Sequence, residues 1–278
     1  MNRTPNRRGI PRHLLPALPG WTLTVWVLSA WVLLSVCRHT AAAEPSRVVA
    51  STTWAGAVAT AAGAAEVRVL APPTLQHPPE YEPRPSDLLA VSQANVLVLG
   101  GFERAAQRLR DALGAAGEVI QVRLDYTPGV TEEEVRRLAG RCGDPAAAEV
   151  WIAALESERG QLKTTLDAVR GPHRPRALVQ RFMVPWANLA GLEVVGTFGM
   201  DADRPSELAR LLALKPEIII DNIHAPGGLA LAATGVPRVV LRNFPGADLD
   251  LIAVYRDNAE QLAIGLRALG SSPPTPAP

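Results

Sequence analysis

Two cysteines are all that this chain of 278 residues holds, and one of them, Cys37, lies in an apolar N-terminal run. With that run removed Cys142 stands alone, no intrachain disulfide can form, and the fold must be held by its own core. Acidic residues are absent before Glu44. Also missing are an HExxH pair, a CxxC pair, a glycine-rich phosphate loop and a serine in a nucleophile elbow. Those absences remove the sequence signatures of zinc proteases, of thiol redox and zinc-knuckle sites, of nucleotide-phosphate binding and of α/β hydrolases.

What is present begins with a secretory pattern: Arg3, Arg7, Arg8 and Arg12, the apolar run from Trp21 to Cys37, then Ala41-Ala42-Ala43 ahead of Glu44. The run is shorter than the roughly 20 residues a bilayer span needs, and its small-residue end suits cleavage; an uncleaved anchor is the other reading. Residues 1–43 are therefore assigned to a signal peptide and the protein to the periplasm or another extracytoplasmic space. The remainder keeps 23 basic against 27 acidic residues, a net charge of −4, which argues against nucleic acid as a partner. The tail from residue 271 to 278, SSPPTPAP, is too proline-rich to pack and is expected to be disordered.

Between these ends, short β-branched runs alternate with helical stretches. Strands are expected at Val48–Ala50, Val67–Leu70, Val96–Leu99, Val119–Val122, Ala177–Val179, Leu192–Val195, Ile218–Ile220 and Val239–Leu241. Helices fall between them, one capped by Ser86 with Asp87 in its first turn and one opening at Thr131 with three acids behind it. From Asp144 to Arg170 no strand interrupts, and Ala148, Ile152, Leu155, Leu162, Leu166 and Val169 recur at helical spacing, so one long helix is expected. The fold class is α/β: two parallel-sheet lobes, residues 44–143 and 173–270, joined by a long helix over 144–172, with a ligand cleft between them at the strands' carboxyl ends.

The segment Gln76-His-Pro-Pro-Glu-Tyr-Glu-Pro-Arg-Pro-Ser-Asp-Leu88 is the most informative of the chain, because its prolines stiffen a loop that carries a His, three acids and a Tyr. Polar residues also stand just past strands elsewhere: Glu103, Gln180, Asp221 and His224. Together with His77 they form a candidate set of imidazole, carboxylate and amide donors suited to zinc or manganese. Four of them have a plainer reading: Glu103 as the capping charge of a helix, Asp221 as a turn residue before Ala225-Pro-Gly-Gly228, and either His as an ordinary loop or core residue. Trp54, Trp151 and Trp186 sit at helical positions that point to the core.

The run HPPEYEPRPSDLLAVSQANVLVLGGFE, preceded by VVASTTW and followed by the long helix, GLEVVGTFG and a closing helix with YRDNAEQL, resembles the TroA-like cluster of extracytoplasmic solute-binding proteins that serve zinc and manganese ABC importers. The resemblance implies a non-enzymatic protein, a monomer, which captures a divalent metal and hands it to a membrane permease. It also implies metal ligands at places where this chain departs from the pattern. Pro79 stands where the first His is usual, with His77 two residues further back; a second His before the long helix is missing; the third position falls at about Gln180 and the last near Arg242-Asn243. Two accounts follow: a rebuilt site of His77, Glu103, Gln180, Asp221 and His224, or loss of the metal in favour of another ligand, with Arg242 as an anion contact. An α/β hydrolase or transferase using His77, Glu80 or His224 as acid or base is a further alternative.

Overall fold

A computed structural model describes residues 47–271, so the expected signal peptide and the last seven residues lie outside the described region. Strand β1 (Arg47–Ala50), helix α1 (Thr53–Ala61) and β2 (Glu66–Val69) open the first lobe; α2 (Pro85–Ser92), β3 (Val96–Leu99), α3 (Ala106–Ala112) and β4 (Glu118–Gln121) complete its sheet. The order is β2-β1-β3-β4, all parallel, with Val48 opposite Val96 and Ala50 opposite Val98. Helices α4 (Val130–Cys142) and α5 (Pro145–Arg170) follow. The second lobe carries β5 (Arg176–Gln180), α6 (Val184–Leu189), β6 (Glu193–Phe198), α7 (Pro205–Leu212), β7 (Ile218–Asn222), α8 (Leu229–Ala232) and β8 (Arg238–Leu241). Its order is β6-β5-β7-β8, the same topology as the first lobe. A last helix, α9 (Leu251–Ser271), closes the described chain.

The central strands β1, β3, β5 and β7 are buried on both faces, as parallel strands under helices are, while the edge strands β2, β4 and β6 stay partly exposed. In the first lobe Val48, Ala50, Val96 and Val98 face one way into a core that runs on through Ile152 and Leu155 of α5 to Ala177, Val179, Ile218 and Ile220 of the second lobe. Val49, Leu97 and Leu99 face the other way, onto α2 and α3; Leu178, Ile219 and Leu211 do the same in the second lobe. The two lobes thus share one inner core and keep separate outer ones.

An aromatic seam runs through that shared core. Trp54 stacks on Tyr126 with centroids 4.5 Å apart and meets Phe244 edge-on at 5.6 Å; Tyr126 also contacts Trp186 at 4.8 Å and Tyr255 at 5.6 Å, and Trp186 contacts Tyr255 at 4.7 Å. Polar tips are tied across it. The Tyr126 hydroxyl donates to the Asn243 carbonyl (2.9 Å) and the Tyr255 hydroxyl to the Tyr126 carbonyl (3.2 Å).

Two helix starts differ from the sequence expectation. Helix α2 begins at Pro85 with Arg84 in the capping place, and the capping oxygen comes from Asp87, which accepts from the Arg84 N–H (2.9 Å) and the Tyr81 hydroxyl (2.7 Å). Proline at the first helical position moves the boundary one residue earlier than Ser86, since it needs no N–H partner there. Helix α4 begins at Val130 after Gly129, whose φ of 88° lets the chain turn in; the Gly129 N–H donates to Glu132 (2.9 Å), while Thr131 lies inside the helix. Helix α5 starts as expected for an Asp cap, with Asp144 accepting from Ala146 (2.8 Å), and is pinned by Glu132 to Arg159 (2.7 Å) and Glu158 to Arg256 (2.7 Å).

Candidate functional site

The proline loop folds into a short 3-10 turn over Pro78–Glu80, and its Pro79 carbonyl accepts from the Arg104 N–H (2.9 Å), which fixes His77 on the inner side of the first lobe. On the other side β7 runs out into the loop that carries His224. The lobes meet here: His77 Nδ1 lies 2.5 Å from the His224 carbonyl oxygen. A carbonyl only accepts, so Nδ1 of His77 carries the proton and its Nε2 keeps the lone pair. His224 is arranged the opposite way. Its Nδ1 accepts from the Asn243 N–H (3.2 Å), so in the neutral ring Nε2 carries the proton. One imidazole is set to coordinate and the other to donate.

Both rings line a cavity of about 380 Å³ between the lobes, together with Trp54, Pro79, Glu80, Phe102, Leu124, Phe182, Met200, Asn222, Ala225, Asn243 and Phe244. The whole chain has four phenylalanines, and three of them are here, so the lining is far more aromatic than the chain that makes it. Phe102, Phe182 and Met200 are half or more exposed and form an apolar rim. Deeper in, Asn222 Nδ2 and Asn243 Oδ1 are buried without hydrogen-bond partners. A cavity of similar volume lies against α5, but Arg159 and Lys163 in its wall are already paired with Glu132 and Asp167.

Of the five residues singled out in the sequence, His77 and His224 are brought together, and Glu103, Gln180 and Asp221 are not among the residues lining this cavity. Each of these three instead holds a loop whose neighbour reaches it. Glu103 accepts from the Gly100 and Gly101 N–H groups (both 2.7 Å) and from the Ser51 hydroxyl, fixing the turn that presents Phe102. Gly101, at φ 89°, is a place that glycine alone fills easily. The Gln180 Oε1 accepts from the Phe182 N–H (2.8 Å). Asp221 is fully buried and accepts from the N–H groups of Asn222 (2.8 Å), Gly227 (3.2 Å) and Gly228 (2.9 Å), besides pairing with Arg238 (2.7 Å).

Trp54 belongs both to the core and to the cavity wall, and Arg242 pairs with Asp257 (2.6 Å) rather than lining the cavity. Phe102, Phe182, Asn222 and Phe244 escaped the sequence reading. The signal that could have found them is adjacency: each stands within two residues of a polar or family-matched position. Among the described residues no group of three His, Cys, Asp or Glu side chains is placed to share a metal ion.

Burial, helped by the positive charge of Arg242 and by His77, holds the His224 pKa down at about 4 against an ordinary 6.5. The unfolded chain therefore binds more protons than the folded one between these values, and stability is full above pH 6.5 and falls as pH drops toward 4. At about 1.4 kcal/mol per pH unit the loss is of order 3 kcal/mol. Urea midpoints of metal-free protein at pH 7 and pH 4.5 are expected to show this fall, and to show less of it in His224→Gln; equal losses in both would remove His224 as the cause.

The fold, two parallel-sheet α/β lobes joined by a long helix, is similar to that of solved periplasmic binding proteins. It superposes on FpvC of Pseudomonas aeruginosa in complex with Ni2+ at a TM-score of 0.62 and 19% identity, covering 84% of this chain and 100% of that one. The Mn-bound periplasmic metal-binding protein of Candidatus Liberibacter asiaticus gives 0.60 at 14% identity over 80% and 99%. The laminin-binding protein Lbp of Streptococcus pyogenes gives 0.58 at 17% identity over 81% and 100%. At such identities the likeness is one of fold. The sequence itself matches, over residues 48–151, the family described as zinc-uptake complex component A, periplasmic. That stretch runs from β1 through the proline loop to the first turns of α5, so the sequence match covers the first lobe, while the likeness in fold covers both. No curated protein matches the chain.

Proposed function

We propose that this protein captures a divalent transition metal, zinc or manganese first among them, outside the cytoplasmic membrane and delivers it to an ABC permease. The observation that carries the reading is the pairing of His77 from one lobe with His224 from the other across a cavity in a fold of this class. His77 Nε2 supplies the imidazole nitrogen, Asn243 Oδ1 an unsatisfied oxygen, and the His224 Nε2–H a hydrogen bond to a group on the cargo. Glu103, Gln180 and Asp221 keep the loops in place behind them. Because His224 stays uncharged down to about pH 4, protons compete with the cargo through it only in strong acid. The work is capture and release, with no bond of an organic substrate made or broken, and the monomer suffices for it.

Metal-stripped protein should gain stability with at least one of Zn, Mn, Fe, Co, Ni and Cu salts, by about 2.7 kcal/mol at 100 times the dissociation constant. His77→Ala should abolish the gain. Thermal unfolding that no metal shifts, offered as its salt or as a chelate, would overturn the reading.

A further inference from the structure

We infer, building on that metal-delivery reading, that the cargo is a divalent metal already held by a small, flat, weakly charged organic chelator. The donor count comes first. One imidazole nitrogen with a free lone pair and one amide oxygen lie inside the cavity, Glu80 stands exposed at its edge, and among the described residues no three His, Cys, Asp or Glu side chains are placed to share an ion, so the closed set of four donors that holds a bare zinc is not formed. The missing donors must arrive with the cargo.

Water is a poor source for them. The objection is not one of size, since six waters at about 30 Å³ each occupy about 180 Å³, roughly half of the 380 Å³ cavity. It is that Trp54, Leu124, Phe102, Phe182, Met200 and Phe244 offer a hydration shell almost nothing to bond to. Stripping a shell against apolar walls costs several kcal/mol per unmatched polar group, whereas the same walls suit the faces of an aromatic or heteroaromatic body.

Charge narrows the class further. Among the described residues lining the cavity there is no Lys or Arg, and the one carboxylate, Glu80, is exposed at the edge. A multiply anionic chelate would find no counter-charge, while a neutral or cationic complex meets none of its own sign. The polar groups left over fit such a body: Asn222 Nδ2 and the His224 Nε2–H both donate, and Asn222 is more than nine-tenths buried. On docking, one water leaves the metal and His77 Nε2 takes its place; the chelator keeps its own bonds.

The test titrates metal-stripped protein with Ni(II) chloride, with an equimolar Ni(II)–bipyridine complex and with bipyridine alone, followed by calorimetry. The complex should bind at least about tenfold tighter than the salt, the equivalent of about 1.4 kcal/mol. Phe182→Ala should weaken the complex by about tenfold and leave the salt unchanged, as loss of one aromatic contact predicts, and His77→Ala should remove the complex's advantage. Salt binding as tight as the complex, or bipyridine alone matching it, overturns the inference and leaves the metal site standing in the first case. Silence from all three titrants overturns the metal-delivery reading with it.

Discussion

Asp221→Ala is expected to lower the unfolding free energy by about 3–5 kcal/mol, the usual result of removing one partner of a buried pair. The carboxylate is fully buried, accepts three backbone N–H groups and faces an Arg238 side chain that is only 20% exposed. Its removal leaves the guanidinium without a counter-charge and frees the 221–228 loop, so ligand binding should fail along with stability. Gly228 packs so closely that a Cβ there would lie 2.8 Å from Asp221 Oδ2, which shows how tightly the loop is wrapped on this carboxylate. Asp221→Leu with Arg238→Met should recover part of the stability, because the pair is replaced by apolar bulk, but none of the binding. Denaturant midpoints decide it: a cost below about 1 kcal/mol for the single substitution, within the range of ordinary surface changes, would show that the loop is held by something else.

The second large effect is at the seam. Tyr126→Ala should cost about 3–5 kcal/mol, the range for truncating a buried aromatic, since its ring touches Trp54, Trp186 and Tyr255 at once. Tyr126→Phe keeps the ring and should cost only about 1 kcal/mol for the lost hydrogen bond to Asn243. The distinguishing readout is cooperativity. With the ring removed, scanning calorimetry should resolve two transitions where the parent protein shows one; a single sharp transition in the Ala variant would mean the lobes are coupled by other contacts.

Both predictions bear on what the chain alone reveals. The alternation of β-branched runs located every strand, and the spacing of Ala148, Ile152 and Leu155 located the long helix, because parallel strands and core-facing helices are written in burial patterns. The candidate set was less legible. A carboxylate or amide placed just beyond a strand has loop N–H groups within reach of its own neighbours, and Glu103, Gln180 and Asp221 are satisfied by them. A sequence registers that a polar residue stands at the strand's end, not which of its neighbours' N–H groups will reach it first. His77 and His224, on loops stiffened by prolines and by Asp221, are brought together across 147 positions of sequence. Their opposite tautomers are set by one carbonyl and one N–H, and no residue pattern encodes those.

The seam also has a bearing on how the molecule is made. Its rings come from Trp54 near the start of the described chain and from Phe244 and Tyr255 near its end. A chain emerging N-terminus first, from a ribosome or through a translocation pore, therefore brings out the stacked pair of Trp54 and Tyr126 before Trp186, Phe244 and Tyr255 exist to cover it. The inner face of either lobe is closed only when the last helix brings Leu251, Val254, Tyr255 and Leu262 against it, so the final segment to be made is the one that completes the core shared by both.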